Sequence, residues 1–135
     1  MILIDEVIAR QPDLLVAAVE VRADSLFFRP PEGIAAHVSI EWMAQCCAAW
    51  AGAKALDEGN PVSLGFLLGT RNFRADVEWF AGGARFYVSA QLEFLDEEMA
   101  NFRCWTAARR DSEPITAAHL SVYQPRDVAA FLGAR

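Results

Sequence analysis

The sequence predicts one α+β domain, residues 1–135, in which an antiparallel β-sheet wraps around a single long helix. Three observations predict this fold: a long apolar segment in the first half of the chain, alternating apolar and polar side chains in the second half, and turn residues between the segments. A chain of 135 residues is long enough to bury a sizeable core. Its hydrophobic fraction of 54% is high for a soluble domain and fits a protein that hides further apolar surface in an oligomer.

Two short strands are predicted at the start of the chain, Ile2–Ala9 and Leu14–Arg22. Both have the composition of strands, and Gln11-Pro12-Asp13 supplies a turn between them. A brief apolar stretch, Ser25–Phe28, follows. It ends at residues 29–33, an irregular loop in which two prolines cannot donate to a sheet ladder.

The long helix is predicted over Ile34–Leu56, and Gly59 and Pro61 end it. Apolar side chains occur on nearly every face of this segment, so we expect a helix surrounded by protein. No stretch in it reaches about 18 apolar residues without a polar interruption, so we expect a buried helix and not a membrane span.

The remainder of the chain is predicted to be strands. Val62–Leu68 continues into a more polar extension, residues 69–74. The segment Ala84–Leu95 alternates, with one face carrying Phe86, Val88, Ala90, Leu92 and Phe94, as in a half-buried antiparallel strand. The other predicted elements are strands over Asn101–Arg110 and Ile115–Tyr123 and a short helix over Asp127–Leu132.

This order of elements leaves a free sheet edge and an uncovered stripe of helix. Pairing with a second chain is the natural way to cover both, so we expect a dimer.

Composition excludes several function classes. The net charge of −6 argues against nucleic acid binding. The three cysteines, Cys46, Cys47 and Cys104, have neither metal-ligand nor disulfide-framework spacing and are expected to be small core residues. With only two histidines and no CxxC motif, no metal site is expected. No glycine-rich phosphate loop or dinucleotide motif occurs either, and no cofactor is expected. The acidic start of the chain is unlike a signal peptide, and we expect a cytoplasmic protein.

Glu41 is the candidate catalytic residue, because it is the only side chain before Lys54 in the apolar helix that is certain to be charged. Burial of a carboxylate costs several kcal/mol unless it is paired, so its presence points either to chemistry or to a structural hydrogen-bond cluster. His37 lies four residues before it and Gln45 four after, which places all three on one helical face. Gln45 is expected to hydrogen-bond the Glu41 carboxylate.

The motif IEWMAQ, Ile40–Gln45, and the segment GFLLGTRNF, Gly65–Phe73, resemble the active-site helix and following strand of hot-dog-fold 3-hydroxyacyl-acyl-carrier-protein dehydratases. The opening MILIDEV resembles the first strand of that family. The likeness is greater still to an offshoot from aryl-polyene and related lipid pathways, in which IEYMAQ and GFLLGTR recur. The resemblance implies a hot-dog fold, hydro-lyase activity, no cofactor and an acyl thioester on a carrier protein or CoA as substrate.

In the family, a loop histidine removes the α-proton, and a glutamate fourteen residues later assists departure of the 3-hydroxyl. Here Glu41 matches the acid, but the matching base position is Phe27. His37 is the candidate replacement, and a merely structural helix-start histidine is the alternative. The resemblance assigns the thioester oxygen to the backbone amide of Ala36.

Apolar side chains that could line an acyl tunnel include Phe27, Phe66 and Leu68, for which core packing is the alternative. Arg71 and Arg74 could contact phosphate or acidic groups of a carrier protein, or could instead pair with Asp76 and Glu78.

Three functions therefore compete. The first is dehydration of carrier-bound 3-hydroxyacyl chains in fatty-acid or polyene-lipid biosynthesis, by a homodimer or a heterodimer with a second hot-dog chain. The second is a non-catalytic acyl-binding or partner subunit, which the phenylalanine at position 27 favours. The third is thioester hydrolysis, in which Glu41 would activate water.

Overall fold

The computed structural model describes residues 2–59 and 66–123, and for residues 66–68 it describes the backbone alone. One helix, α1, runs from Ser39 to Asp57 and is preceded by a 3-10 turn at Ala36–Val38. The strands are β1 Glu6–Gln11, β2 Leu14–Glu20, β3 Phe28–Arg29, β4 Gly33–Ala35, β5 Phe66–Ala75, β6 Trp79–Phe80, β7 Arg85–Asp96, β8 Met99–Ala107 and β9 Pro114–Tyr123.

Six strands form one antiparallel sheet in the order β1-β2-β7-β8-β9-β5, and α1 packs across β2, β7, β8 and β9. The predicted architecture of a sheet around one long helix is therefore confirmed. A second, small sheet in the order β3-β4-β6 lies at the start of the helix. It was not predicted, because strands of two or three residues are too short to show a periodic pattern.

The core lies between the inner face of the sheet and one side of α1. The helix contributes the buried side chains Trp42, Met43, Cys46, Cys47 and Trp50. The ring of Trp42 lies 4.8 Å from that of Phe80, and Trp50 meets Phe102 edge to face at 5.4 Å. The three cysteines are all buried, as predicted, and the Cys47 and Cys104 sulfurs are 3.7 Å apart. Burial raises the pKa of the Cys46 thiol, and the hydrogen bond with Cys104 together with burial raises that of Cys47.

The helix begins later than predicted because residues 33–35 pair as a strand. Gly33 has φ +121, and a Cβ on it would lie 2.0 Å from the Phe80 carbonyl oxygen. Only glycine fits this close approach of β4 to β6. Ile34 and Ala35 then pair with Phe80 and Trp79, which delays the first helical residue to Ser39.

Two further predictions need correction. Phe94 does not continue the buried face of β7 but is 57% exposed, because a register shift between Leu92 and Phe94 interrupts the alternation. The first strand begins at Glu6 instead of Ile2. The predicted helix Asp127–Leu132 and the first part of the strand Val62–Leu68 lie outside the described residues.

Among the described residues, no helix has the length and hydropathy that spanning a membrane demands.

Candidate functional site

The start of the helix is held by three hydrogen bonds. The Ala36 amide donates to the Glu78 carbonyl oxygen at 2.9 Å. The Ser39 hydroxyl donates to the Ala36 carbonyl oxygen at 2.7 Å and lies 2.9 Å from the Thr116 hydroxyl. Ser39 and Thr116 are fully buried. These contacts join the 3-10 turn to the loop before β6 and to β9, and so fix the direction in which the next helical side chains project.

His37 lies in the 3-10 turn and Glu41 in the first turn of α1, just after this anchored start. Both side chains are exposed in the single chain. Among the described residues, neither side chain has a hydrogen bond or an ion pair. The expectation that Glu41 is buried within its own chain is therefore wrong. The sheet covers only one side of α1, and an apolar sequence around Glu41 does not show which side that is.

The uncovered side of the helix carries small residues beyond Glu41. Ala48 is exposed, and Ala44, Ala51 and Gly52 are partly exposed. Small side chains allow the backbone of another element to approach the helix closely. The prediction that protein surrounds the helix is therefore wrong for the single chain. The predicted uncovered stripe along the helix is present.

Gln45 does not support Glu41. Its side-chain oxygen accepts hydrogen bonds from the amides of Leu3, at 2.7 Å, and Ile4, at 3.2 Å. Gln45 is partly buried against the segment before β1, whereas His37 and Glu41 are both exposed. Its role in the single chain is to tie the segment before β1 to α1.

The Ala36 amide is not a free donor. Because it donates to the Glu78 carbonyl oxygen, the expected contact from this amide to a thioester oxygen is not available. Ala36 was assigned to the thioester oxygen from its position relative to the IEWMAQ motif. A sequence motif does not show that the segment before β6 will place a carbonyl oxygen next to this amide.

Phe27 occupies the position of the family's base. Its side chain is partly buried against the core, and its amide donates to the Ser25 hydroxyl at 3.2 Å. A phenyl ring exchanges no protons, so this position supplies packing and no acid–base chemistry. The side chains of Phe66 and Leu68, the other two expected tunnel residues, lie outside the described part of the structure.

The two candidate carrier-contact arginines are both exposed but differ in environment. Arg74 pairs with Asp76 at 2.7 Å, which was the alternative raised for it. Arg71 has no ion pair among the described residues. It lies on the outer face of the sheet, directly opposite His119 of β9.

A cleft of about 440 Å³ lies at the opposite end of the helix, lined by Arg10, Gln11, Pro12, Trp50, Lys54, Asp57 and Glu58. Its cations are already paired, Arg10 with Asp57 and Lys54 with Glu58. Sixteen residues separate Glu41 from Asp57, which is roughly 24 Å along a helix. The cleft therefore takes no part in the candidate site. The described residues also contain no cluster of side chains suited to a metal ion.

Sequence reasoning missed the pair Ser39 and Thr116. They are 77 positions apart, and a single buried serine beside the apolar run gives no signal of its partner on β9. It also missed the exposed apolar side chains of Leu26 and Trp79 near the helix start, which are 65% and 36% exposed.

The comparisons agree with the resemblance described above. A model of the ApeP-like family, described as ApeP dehydratase, matches residues 1–133. The structure of the dehydratase heterocomplex ApeI:P from Xenorhabdus doucetiae is similar, with a TM-score of 0.86 and 24% identity over 99% of this chain and 90% of that chain. A search among curated proteins finds no match.

Thioesterases share the fold at lower similarity. A mutant thioesterase from Staphylococcus aureus has a TM-score of 0.67 and 15% identity over 88% of this chain and 91% of that one. The Haemophilus influenzae thioesterase has a TM-score of 0.68 and 12% identity over 89% of this chain and 77% of its own. These similarities confirm the hot-dog fold.

Proposed function

Because the chain belongs to the ApeP-like dehydratase family, we propose that it acts on 3-hydroxyacyl thioesters, as the subunit that contributes Glu41 to a dehydratase site shared with a second hot-dog chain. The substrate is a 3-hydroxyacyl chain on a carrier protein or CoA, in fatty-acid or polyene-lipid biosynthesis in the cytoplasm. The second chain is another copy or a related hot-dog protein. The similar structure from Xenorhabdus doucetiae is a dehydratase heterocomplex, which supports a complex of two different hot-dog chains.

The observation that carries this proposal is the exposure of both His37 and Glu41 at the start of α1. The helix start is anchored by buried hydrogen bonds, yet the two polar side chains that it presents have no partner among the described residues. Small residues continue along the same side. This arrangement suits a site that is closed by another chain packing against the helix.

Dehydration moves two protons. A base takes the α-proton, and the electrons of that C–H bond form the new double bond. The bond from the 3-carbon to oxygen breaks at the same time, and the Glu41 carboxyl gives its proton to the departing hydroxyl, which leaves as water. His37 is the base that this chain offers, and the alternative source is the second chain, since Phe27 cannot serve.

The phenylalanine at position 27, in place of the family's base, also favours a second candidate function. In this function the chain is a non-catalytic subunit that completes or stabilises a partner dehydratase. In that case the active site would lie wholly on the partner, and Glu41 would act only in packing. Thioester hydrolysis is a third function, because a solvent-facing carboxylate can activate water without a histidine.

One experiment separates these functions. Purified protein, alone and co-expressed with a second hot-dog chain, is given 3-hydroxyacyl and enoyl thioesters, and wild type is compared with Glu41→Gln. Loss of a general acid lowers turnover by about 10²–10⁴-fold, so interconversion of the two thioesters should fall by that factor in the variant. The matched control is Glu58→Gln, an exposed glutamate at the far end of α1.

Each outcome points to one function. Interconversion lost in Glu41→Gln and kept in Glu58→Gln supports dehydration. Release of free thiol, abolished by Glu41→Gln, supports hydrolysis. Equal turnover in wild type and Glu41→Gln within a complex with a second chain refutes a catalytic role and supports the non-catalytic subunit.

A further inference from the structure

Ala36, the residue directly before His37, is fixed at both of its backbone polar groups. Its amide donates to the Glu78 carbonyl oxygen at 2.9 Å. Its carbonyl oxygen accepts from the Ser39 amide and also from the Ser39 hydroxyl, the latter at 2.7 Å. The backbone that leads into His37 is therefore held both from the loop before β6 and from the first residue of α1.

Ser39 lies between the two candidate catalytic residues in the chain, two positions after His37 and two before Glu41. It is fully buried, whereas both of those side chains are exposed. Among the described residues, neither His37 nor Glu41 has a hydrogen bond or an ion pair of its own. Their placement in the single chain therefore depends on the backbone that carries them, and a shift of this backbone at Ser39 moves both.

Thr116 of β9 ties the helix start to the sheet through one hydroxyl pair. The Ser39 hydroxyl gives its hydrogen to the Ala36 carbonyl oxygen, so the Thr116 hydroxyl donates to the Ser39 oxygen, at 2.9 Å. Within residues 2–59 and 66–123, no other side-chain hydrogen bond joins the helix start to the sheet, and the N-cap residues of the 3-10 turn and of α1 make none. The hydroxyl pair is thus the side-chain link that sets where the helix begins relative to β9.

A second buried threonine gives a matched comparison. Thr106 of β8 lies directly opposite Thr116, and both are fully buried. The Thr106 hydroxyl has no hydrogen bond among the described residues. The two threonines therefore share side chain, burial and sheet, and differ in the bond to the helix start.

We propose that Ser39 and Thr116 are positioning residues for the proposed reaction, and that their hydroxyl pair holds His37 and Glu41 where the two proton transfers need them. This inference rests on the proposed function, from which it takes the reaction. Because both hydroxyls are buried beneath the helix start, they act through the backbone and not by contact with the substrate. A proton moves only between groups within hydrogen-bond reach, and a displacement of about 1 Å can slow turnover by roughly 100-fold.

The first test compares steady-state kinetics. Dehydration of one 3-hydroxyacyl thioester is followed for wild type, Thr116→Val, Thr116→Ser and Thr106→Val, in the same assembly, at one protein concentration and below the unfolding transition of every variant. Thr116→Val should lower kcat at least about tenfold and leave KM within about twofold, because the placement of proton-transferring groups matters in the transition state and not in substrate binding. Thr116→Ser keeps the hydroxyl, and Thr106→Val removes one that holds nothing, so both should keep kcat within about twofold of wild type.

A double variant tests whether Thr116 acts through Ser39. Ser39→Ala removes the bonds to both Thr116 and the Ala36 carbonyl oxygen, so it should lower kcat at least as much as Thr116→Val does. Adding Thr116→Val to Ser39→Ala should cause no further loss, because residues that act as a unit are not additive. Losses that multiply would show two independent effects and overturn the proposal.

A readout without turnover separates this inference from the proposed function. The chain has two histidines, so its proton–carbon NMR spectrum contains two sets of imidazole signals, and a His37→Gln variant identifies those of His37. Thr116→Val should shift the His37 signals, and Thr106→Val should leave them in place. Unshifted His37 signals in Thr116→Val overturn the positioning role.

The kinetic outcomes are equally decisive. Unchanged kcat in Thr116→Val, an equal loss in Thr106→Val or Thr116→Ser, or a rise in KM alone overturns the positioning role and leaves the proposed function standing. A wild type without any turnover, combined with shifted His37 signals in Thr116→Val, refutes the proposed function alone.

Discussion

Two threonines that face each other inside the sheet should respond oppositely to the same substitution. Thr116 and Thr106 are directly opposite on β9 and β8, and both are fully buried. The Thr116 hydroxyl is hydrogen-bonded to Ser39, whereas the Thr106 hydroxyl has no partner among the described residues. Replacing either with valine keeps the volume and removes one hydroxyl.

The sign follows from what each hydroxyl does. Since the Ser39 hydrogen goes to the Ala36 carbonyl oxygen, the Thr116 hydroxyl donates to the Ser39 oxygen. Thr116→Val loses that bond and should lower the free energy of unfolding by about 0.5–1.5 kcal/mol. Burying a hydroxyl without a hydrogen bond costs about 1–3 kcal/mol. Thr106→Val removes that hydroxyl, so the free energy of unfolding should stay the same or rise by up to this amount.

Equilibrium urea denaturation at one fixed protein concentration measures both changes, because an oligomer's apparent stability depends on concentration. A change of 1 kcal/mol corresponds to roughly 4 °C in Tm for a domain of this size. Ser39→Ala combined with Thr116→Val should show a coupling energy above about 0.5 kcal/mol. Destabilisation of similar size in the two valine variants would refute the assigned hydrogen bonds.

Two further predictions concern the helix start and the buried thiols. Gly33→Ala should destabilise the fold by more than about 2 kcal/mol, because the backbone has φ +121 and the added Cβ would meet the Phe80 carbonyl oxygen at 2.0 Å; unchanged thermal unfolding would contradict this. Burial raises the pKa of Cys46 and Cys47 above that of an unfolded thiol, so these thiols contribute fully to stability below about pH 9 and progressively less as the pH rises above it. Denaturation from pH 7 to 10, with a variant carrying serine at both positions as control, checks the direction; a stability that rises with pH in wild type alone would contradict it.

The elements were largely predictable because each depends on its own residues. A run of apolar residues long enough for a helix, punctuated by Gly59 and Pro61, predicts α1 to within a few residues. Period-two alternation predicts β7, and its last part failed only where a bulge reversed the side of Phe94. The spacing of His37 and Glu41 likewise predicts that they share a helical face.

The environment of each site residue was decided by the tertiary structure. Whether Glu41 is buried depends on which side of α1 the sheet covers, and the carbonyl of Glu78 reaches Ala36 only after β6 pairs with β4. Only the register of the strands places positions 71, 119 and 103 opposite one another. Periodicity arises from neighbours within one or two turns, so the sequence determines where helices and strands lie. Burial, hydrogen-bond partners and rows across strands arise between residues far apart in the chain, and those contacts are set when the sheet closes on the helix.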